Sequence, residues 1–508
     1  MILPVEFTNK LSLEYSKIGG KNHKKETGQY FTPPQIAKFM ASLVTIDQAQ
    51  LDILDPGIGT GILSSAIVQN IVENRKMVTR INLTGYEIDK NLKDNFTVKS
   101  LEHLKEFARL NNIDFQYELK GDDFILDNDY SLHNNKENKF FDIIISNPPY
   151  FKLNSKDPRK VISDKLFNGQ TNIYSLFYSF AANLLKPNGE LIFISPRSFT
   201  SGNYFKTFRN YFFEKIQIER IHLFESRTET FKSENVLQET LILKGKLKEK
   251  KLLEYKLIIS SSKNSQDLNT LREKSYDISE VMNLHDREKM LHLPSSSEEE
   301  KIIKLFQKWD NKLSDFGINI STGKVVSFRA EDSIKEDKSE NSVPLIWLYN
   351  VAMMDFKKMN GREGKGKHII HSSLTKSSLV ENKDYVLLRR FSSKDDAKRL
   401  IACAYLGNYF HSKNLGIENK VNYIYRQNGE LGKNELFGLS ALLNSSLFDS
   451  YFRTFNGNVN VSATEIRSIN FPDLQVINKI GENILRLNEF TQIAIDEIVN
   501  KTLKINFN

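Results

Sequence analysis

Two short segments of this 508-residue chain hold residue types that can do chemistry at close quarters. The first is Asn147-Pro148-Pro149-Tyr150, which follows an apolar run at residues 142–146. At average residue usage such a tetrapeptide would arise by chance on the order of once in a thousand chains of this length. Two prolines stiffen the backbone and hold the residue before them extended. A rigid loop can then aim the Asn147 side-chain carbonyl and the Pro148 backbone carbonyl at one NH₂ group. Two acceptors on one exocyclic amine draw its protons away and make the nitrogen lone pair available. Tyr150 can stack face-on with a planar base. The plainer reading is a stiff turn that caps a strand.

The second segment is Asp55-Pro56-Gly57-Ile58-Gly59-Thr60-Gly61, between a short β-type run and a helical pattern. Three glycines let backbone approach a ligand closely, and a helix N-terminus offers unpaired N–H groups. The phosphate-loop pattern GxxxxGK[ST] is absent, and the spacing is GxGxG, not the GxGxxG of dinucleotide sites. Both facts point toward S-adenosylmethionine (SAM) and away from a phosphate ligand, with Asp55 placed to accept from a cationic amine. Glu87 follows the next β-type run and could take both hydroxyls of a ribose. Asp123-Phe124 follows the third, where Asp could accept from an adenine amine and Phe could flank the ring. Each acid alone reads more readily as a solvated loop residue. Their value lies in falling at successive strand ends, where open α/β sheets bind ligands.

The elements that must position these groups are legible. Strands are predicted at 51–54, 81–86, 115–119, 142–146 and 190–195, and helices at 61–73 and 173–185, with a Lys-Pro-Asn-Gly turn at 186–189. Strands separated by helical patterns predict a mostly parallel sheet. Residues 1–30 are polar and predict a mobile or ligand-covering arm. The run 244–251, with five lysines in eight residues, predicts a linker or a basic contact strip. A domain boundary is therefore expected near 245, giving domains 1–245 and 246–508.

Taken together these residues resemble the γ class of N6-adenine DNA methyltransferases, in the TaqI-like type II group and its PstI/BsuBI-type modification enzymes. The resemblance covers roughly residues 25–245. It starts at Gly28-Gln29-Tyr30-Phe31-Thr32-Pro33-Pro34, passes through the glycine turn, Glu87, Asp123-Phe124 and Asn147–Tyr150, and ends at Pro196-Arg197-Ser198-Phe199 and Phe205. It implies a Rossmann-like SAM-dependent methyltransferase domain with a mixed, mostly parallel sheet, followed by a mixed α+β target-recognition domain that ends in helices. It also implies roles. Tyr30 and Thr32 would close over the methionine end of SAM, which Asp55, Gly57, Gly59 and Gly61 would hold. Glu87 would bind the ribose, and Asp123 and Phe124 the adenine. Asn147 and Pro148 would bind the target amine, with Tyr150 stacked on the target base. Phe205, nine residues after Pro196, would be a second stacking aromatic. Phe199 is its rival, and core packing is the plainer role for either. An adenine inside a duplex must be flipped out before its N6 can be attacked, at a few kcal/mol. Direct transfer from sulfonium to nitrogen needs no metal and no cysteine nucleophile, so the single Cys403 is expected to be a small buried residue.

Composition sets outer bounds. Apolar residues at 40% and charged residues at 26% are ordinary for a globular chain, and one cysteine excludes a disulfide framework. No secretory signal and no apolar run of membrane-spanning length are evident, so a cytoplasmic location is expected. A net charge of +8 admits a polyanion partner. Arg389-Arg390, Arg399 and Lys413–Lys420 interleave with Phe391, Tyr405, Tyr409, Phe410, Tyr423 and Tyr425, a mixture suited to a DNA groove. Segments 321–326 and 456–462 look like stretches found in recognition halves of such enzymes, and Thr464 opens a predicted helix. Double-stranded DNA is the expected partner, and the resemblance alone implies a separate cognate endonuclease and a CTGCAG-type palindrome. A monomer is expected. Two alternatives stand beside this reading: an RNA or protein-glutamine methyltransferase, and a non-catalytic DNA-binding subunit. Only 54 residues precede Asp55 while some 260 follow Leu243, a layout that favours a large substrate read by the C-terminal half.

Overall fold

The structure, a computed structural model, describes residues 1–18, 31–132, 140–167, 172–224, 239–248, 254–268, 270–358, 365–392 and 396–505. The chain divides into two units, one of residues 1–200 and 204–291, the other of 201–203 and 292–508.

The first unit is built on a nine-stranded sheet. Its strands in chain order are β1 Gln50–Asp55, β2 Arg80–Tyr86, β3 Asp114–Lys120, β4 Phe141–Ser146, β5 Leu185–Pro196, β6 Ile216–Phe224, β7 Thr240–Leu247, β8 Lys256–Ser262 and β9 Arg272–Asp277. Their spatial order is β3-β2-β1-β4-β5-β7-β6-β8-β9. The first five run parallel, and β7 is antiparallel to both neighbours. The apolar runs predicted as strands form them because both faces are covered, which suits continuous Ile and Leu. Ile53, Ile81, Ile143 and Ile192 are all fully buried. The helix Ile62–Asn74 packs its Leu63, Ile67 and Ile71 stripe onto the sheet. The Lys-Pro-Asn-Gly turn is taken into β5 as an irregularity: pairing to β4 jumps from Leu185 to Glu190, and Asn188 has φ 62°.

Three expectations need correction. The N-terminal segment is no loose arm over 4–18. Pro4–Ile18 is a helix with Val5, Leu11 and Tyr15 buried, and its Thr8 and Ser12 bond to Ser65, Ser100 and Thr60. Residues 19–30 lie outside the described residues. The lysine run is not a linker at its start. Lys244 and Lys246 sit in β7, and Lys244, 5% exposed, pairs with the buried Glu190 at 2.9 Å. The sheet then continues through β8 and β9, so the first unit runs on to Leu291 and does not end near 245.

The second unit holds a four-stranded antiparallel sheet ordered Ile318–Thr322, Val421–Arg426, Tyr385–Arg389, Ala402–Tyr405, a five-stranded mixed sheet, and helices toward its end. Cys403 is buried in the former sheet, as expected. Arg399 is fully buried and structural: it bonds Asn456 Oδ1 at 2.6 Å and the backbone carbonyls of Ser392 and Asn458. Tyr405 and Tyr423 belong to the core, so only part of the basic–aromatic mixture reaches the surface. Helices Lys433–Asn444 and Leu474–Ile484 meet through glycines. A Cβ on Gly481 would lie 1.9 Å from Asn434 O, and one on Gly438 2.1 Å from Ile477 O. Gly481→Ala must push the helices apart and is expected to lower unfolding stability by about 3 kcal/mol. Denaturant titration with an unchanged midpoint would contradict that close contact. Among the described residues, no helix is long and apolar enough to cross a membrane.

Candidate active site

Strand order reverses between β1 and β4, so a crevice opens at the carboxyl ends of β1, β2 and β4. A cavity of about 440 Å³ lies there, within the range of small-molecule pockets. Of the residues singled out from sequence, Thr32, Gly57, Gly59, Glu87, Asp123, Phe124 and Asn147 line it. Asp55, Gly61, Pro148, Tyr150 and Phe205 do not, and Tyr30 lies outside the described residues.

The glycine turn is fixed from several sides. Ile58 N donates to Tyr86 O at 3.0 Å, and Thr97 Oγ1 donates to Gly59 O at 2.6 Å. Gly59 and Gly61 have φ of 56° and 90°, a left-handed backbone that favours glycine. Gly61 thereby caps the following helix and stands out of the cavity wall. Asp55 lies fully buried beside the turn. Its Oδ2 accepts from Ser64 Oγ at 2.9 Å, while Oδ1 has no hydrogen-bond partner. Burial pushes its carboxyl up to about 7, partly offset by Ser64. Glu87, 6% exposed, is likewise pushed up to about 7 by burial, partly offset by the Asp89 N–H that donates to its Oε1.

A raised carboxyl keeps its proton in the folded chain at a pH where the unfolded chain has lost it. Stability from Asp55 is therefore present near pH 4 and is lost as pH rises toward 7, by up to roughly 1.4 kcal/mol per pH unit. Asp55→Asn is expected to flatten that part of the stability profile in the ligand-free protein. Identical pH slopes for variant and parent across pH 4–7 would contradict the burial of this group.

Asn147 follows β4 and is half-buried. Its Nδ2 donates to Thr32 Oγ1 at 3.1 Å, and its Oδ1 accepts from the Tyr150 hydroxyl. The same hydroxyl lies 3.1 Å from Ile194 O. Thr32, expected at the methionine end of SAM, thus also touches the amide that sequence reading placed at the target. Tyr150 meets the edge of Tyr174, which stacks on Phe205 with centroids 5.5 Å apart. Phe205 therefore belongs to the aromatic tier beside Tyr150. Phe199 is fully buried among Tyr178 and Phe208, one ring removed from Tyr174, and Phe205 is itself buried.

Asp123 does more than face the cavity. Its Oδ1 accepts from the N–H groups of Ile125 and Leu126, and its Oδ2 lies 3.2 Å from Arg159 Nη1. Phe124 is 2% exposed and packs edge-on to Tyr86, so it contributes as much to the core as to the wall. Sequence reading missed Arg159 and Phe151, which both line the cavity with the guanidinium 5.5 Å from the ring centroid. It also missed Asp89, which accepts from Tyr15 OH at 2.6 Å and ties the N-terminal helix to the crevice. An arginine in a polar stretch leaves no pattern that could have revealed it.

The electrostatics select among ligands. Among the described residues Glu87, Asp89, Asp122 and Asp123 line the cavity, against one cation, Arg159, which is already paired with Asp123 and Asp157. Such a wall repels phosphates and fits a ligand with hydroxyls and positive charge. The glycine backbone in the wall fits the same kind of ligand, with the buried Asp55 carboxyl behind the turn.

This strand order, with an antiparallel β7 beside β5, a glycine turn after β1 and Asn-Pro-Pro-Tyr after β4, defines a Rossmann-like methyltransferase. The family model for Eco57I restriction-modification methylases matches residues 42–231. Over 486 residues the chain is 32% identical to the type II methyltransferase M.PstI of Providencia stuartii, covering 95% of this chain and 94% of that one. It is 31% identical over 493 residues to M.BsuBI of Bacillus subtilis, covering 95% of each. A cryo-EM structure of a DrdV–DNA complex matches with a TM-score of 0.50 at 12% identity, over 90% of this chain and 57% of that chain, a likeness of fold alone. The chain belongs to the type II restriction-modification methyltransferases, in the family that includes M.PstI and M.BsuBI.

Proposed function

We propose that this protein is a site-specific DNA adenine-N6 methyltransferase that takes its methyl group from SAM and acts on an adenine flipped out of the duplex. The observation that carries the reading is Asn147, whose amide, anchored to Thr32 and Tyr150, stands at the rim of an acid-lined cavity. Bound SAM supplies a methyl carbon made electrophilic by its sulfonium. The protein's residues do the rest. Glu87 accepts from the ribose hydroxyls, Asp123 from the adenine amine, and Asp55 from the cationic amine. Asn147 Oδ1 and the Pro148 carbonyl accept from the target N6–H groups and turn the lone pair toward the methyl. The C–N bond forms as the C–S bond breaks, and the N6 proton leaves to solvent. Because Asp55 and Glu87 must be ionised to serve, SAM affinity should rise with pH through about 7.

Tyr150 holds the extruded base by stacking. A duplex with 2-aminopurine in place of the target adenine should brighten on binding, since the flipped base loses its stacked neighbours. Tyr150→Ala is expected to weaken that capture roughly ten- to hundredfold. No fluorescence change with the parent protein, in a complex shown to form, would contradict base flipping.

A further inference from the structure

We propose that Arg389 reads a guanine of the target DNA from a small pocket of the second unit. The proposal rests on the reading of this chain as a DNA methyltransferase. Arg389 ends the strand Tyr385–Arg389, and its Nε donates to Val351 O at 2.7 Å. Its two terminal nitrogens make no hydrogen bond among the described residues, though the Asp396 carboxylate acts on the guanidinium's charge. The guanidinium is thus fixed at one edge and keeps a fork of N–H donors for something else.

It lines a cavity of about 170 Å³ together with Trp347, Tyr349, Glu418 and Lys420. Glu418 is 2% exposed yet does not neutralise Arg389. Its Oε2 accepts from Leu348 N at 3.2 Å and its Oε1 pairs with Lys420 at 3.3 Å, so the carboxylate is held in the wall. A half-buried guanidinium held at Nε keeps an open planar fork of N–H donors, in a pocket that Lys365 and Lys420 on the same lining make cationic. It is a good site for a neutral planar edge with two adjacent acceptors. Guanine presents such an edge, O6 and N7, in the major groove, and the arginine fork matches it bidentately.

The surroundings suit a duplex. Lys420 is exposed, Arg390 N donates to Lys420 O, and the Arg390 guanidinium lies 5.8 Å from the centroid of Phe391, which is itself 37% exposed. These cations can track phosphates on either side of the base that Arg389 reads.

The test compares the parent protein, Arg389→Ala, Arg389→Lys and Lys420→Ala on a pool of duplexes randomised around an adenine, with methylated products sequenced. Melting temperatures establish that each variant is folded, and Arg389→Lys keeps the charge while losing the fork. Both Arg389 variants should lose roughly ten- to hundredfold discrimination for guanine at one position of the target and keep it elsewhere. Lys420→Ala should keep the target and bind more weakly at every sequence, with a salt slope smaller by about one. An unchanged target in the Arg389 variants, whether or not affinity falls evenly, overturns the proposal. A parent protein that methylates no duplex in the pool overturns the underlying reading with it.

Discussion

Asn147→Ala should lower methyl transfer by on the order of a thousandfold while DNA affinity stays within about twofold. The size follows from where the group acts. In the proposed reaction Asn147, which lines the crevice, accepts from the flipped amine, and that interaction would strengthen only as charge develops on the nitrogen. A group whose contact is made mainly in the transition state costs kcat when removed, and costs substrate binding little. Single-turnover transfer with saturating SAM and DNA separates the two. A variant that keeps a tenth of the parent rate would remove Asn147 from the chemistry. Thr32→Val offers a finer check. It removes the bond to the Asn147 amide but leaves the amide itself, so its loss should be partial and should be restored in Thr32→Ser.

The second large effect is on the cofactor side. Glu87→Ala deletes a carboxylate that lines the crevice at the end of β2. Hydrogen bonds to a charged group contribute about 1.5–3 kcal/mol each, so loss of a ribose clamp should raise the KM for SAM by roughly a hundredfold. The rate at saturating SAM should change far less, because the ribose hydroxyls gain no charge as the methyl moves. Isothermal titration of SAM into the variant provides the check, and near-parental affinity would mean that Glu87 does not hold the ligand. The same variant should also lose part of the rise in SAM affinity with pH, since one of the two groups raised to about 7 is gone.

Much of the crevice was legible from residue order because it rests on local rules. A short apolar run, a glycine turn and a helical stripe are read within a dozen residues, and β1, β2 and β4 form where those rules put them. The parts that escaped depend on partners distant in the chain. Thr8 and Ser12 look like solvent-facing positions, yet their hydroxyls meet Ser65, Ser100 and Thr60 and bury the helix Pro4–Ile18. Lys244 reads as surface until Glu190 is placed beside it on β5. Arg399 reads as a DNA contact until Asn456 is seen to enclose it. Arg159 joins the crevice only because Asp123 and Asp157 draw it there. In each case a polar side chain is satisfied by a tertiary contact that no periodicity announces.

The proposed reaction moves a methyl group from SAM to the N6 of adenine in DNA. It is tested most directly by supplying radiolabelled SAM with duplex DNA, RNA of matching sequence or a protein extract, and then resolving the labelled products as nucleosides or amino acids. Label in N6-methyladenine from DNA alone is the predicted result. Label in RNA or in protein glutamine, with DNA blank, would contradict it.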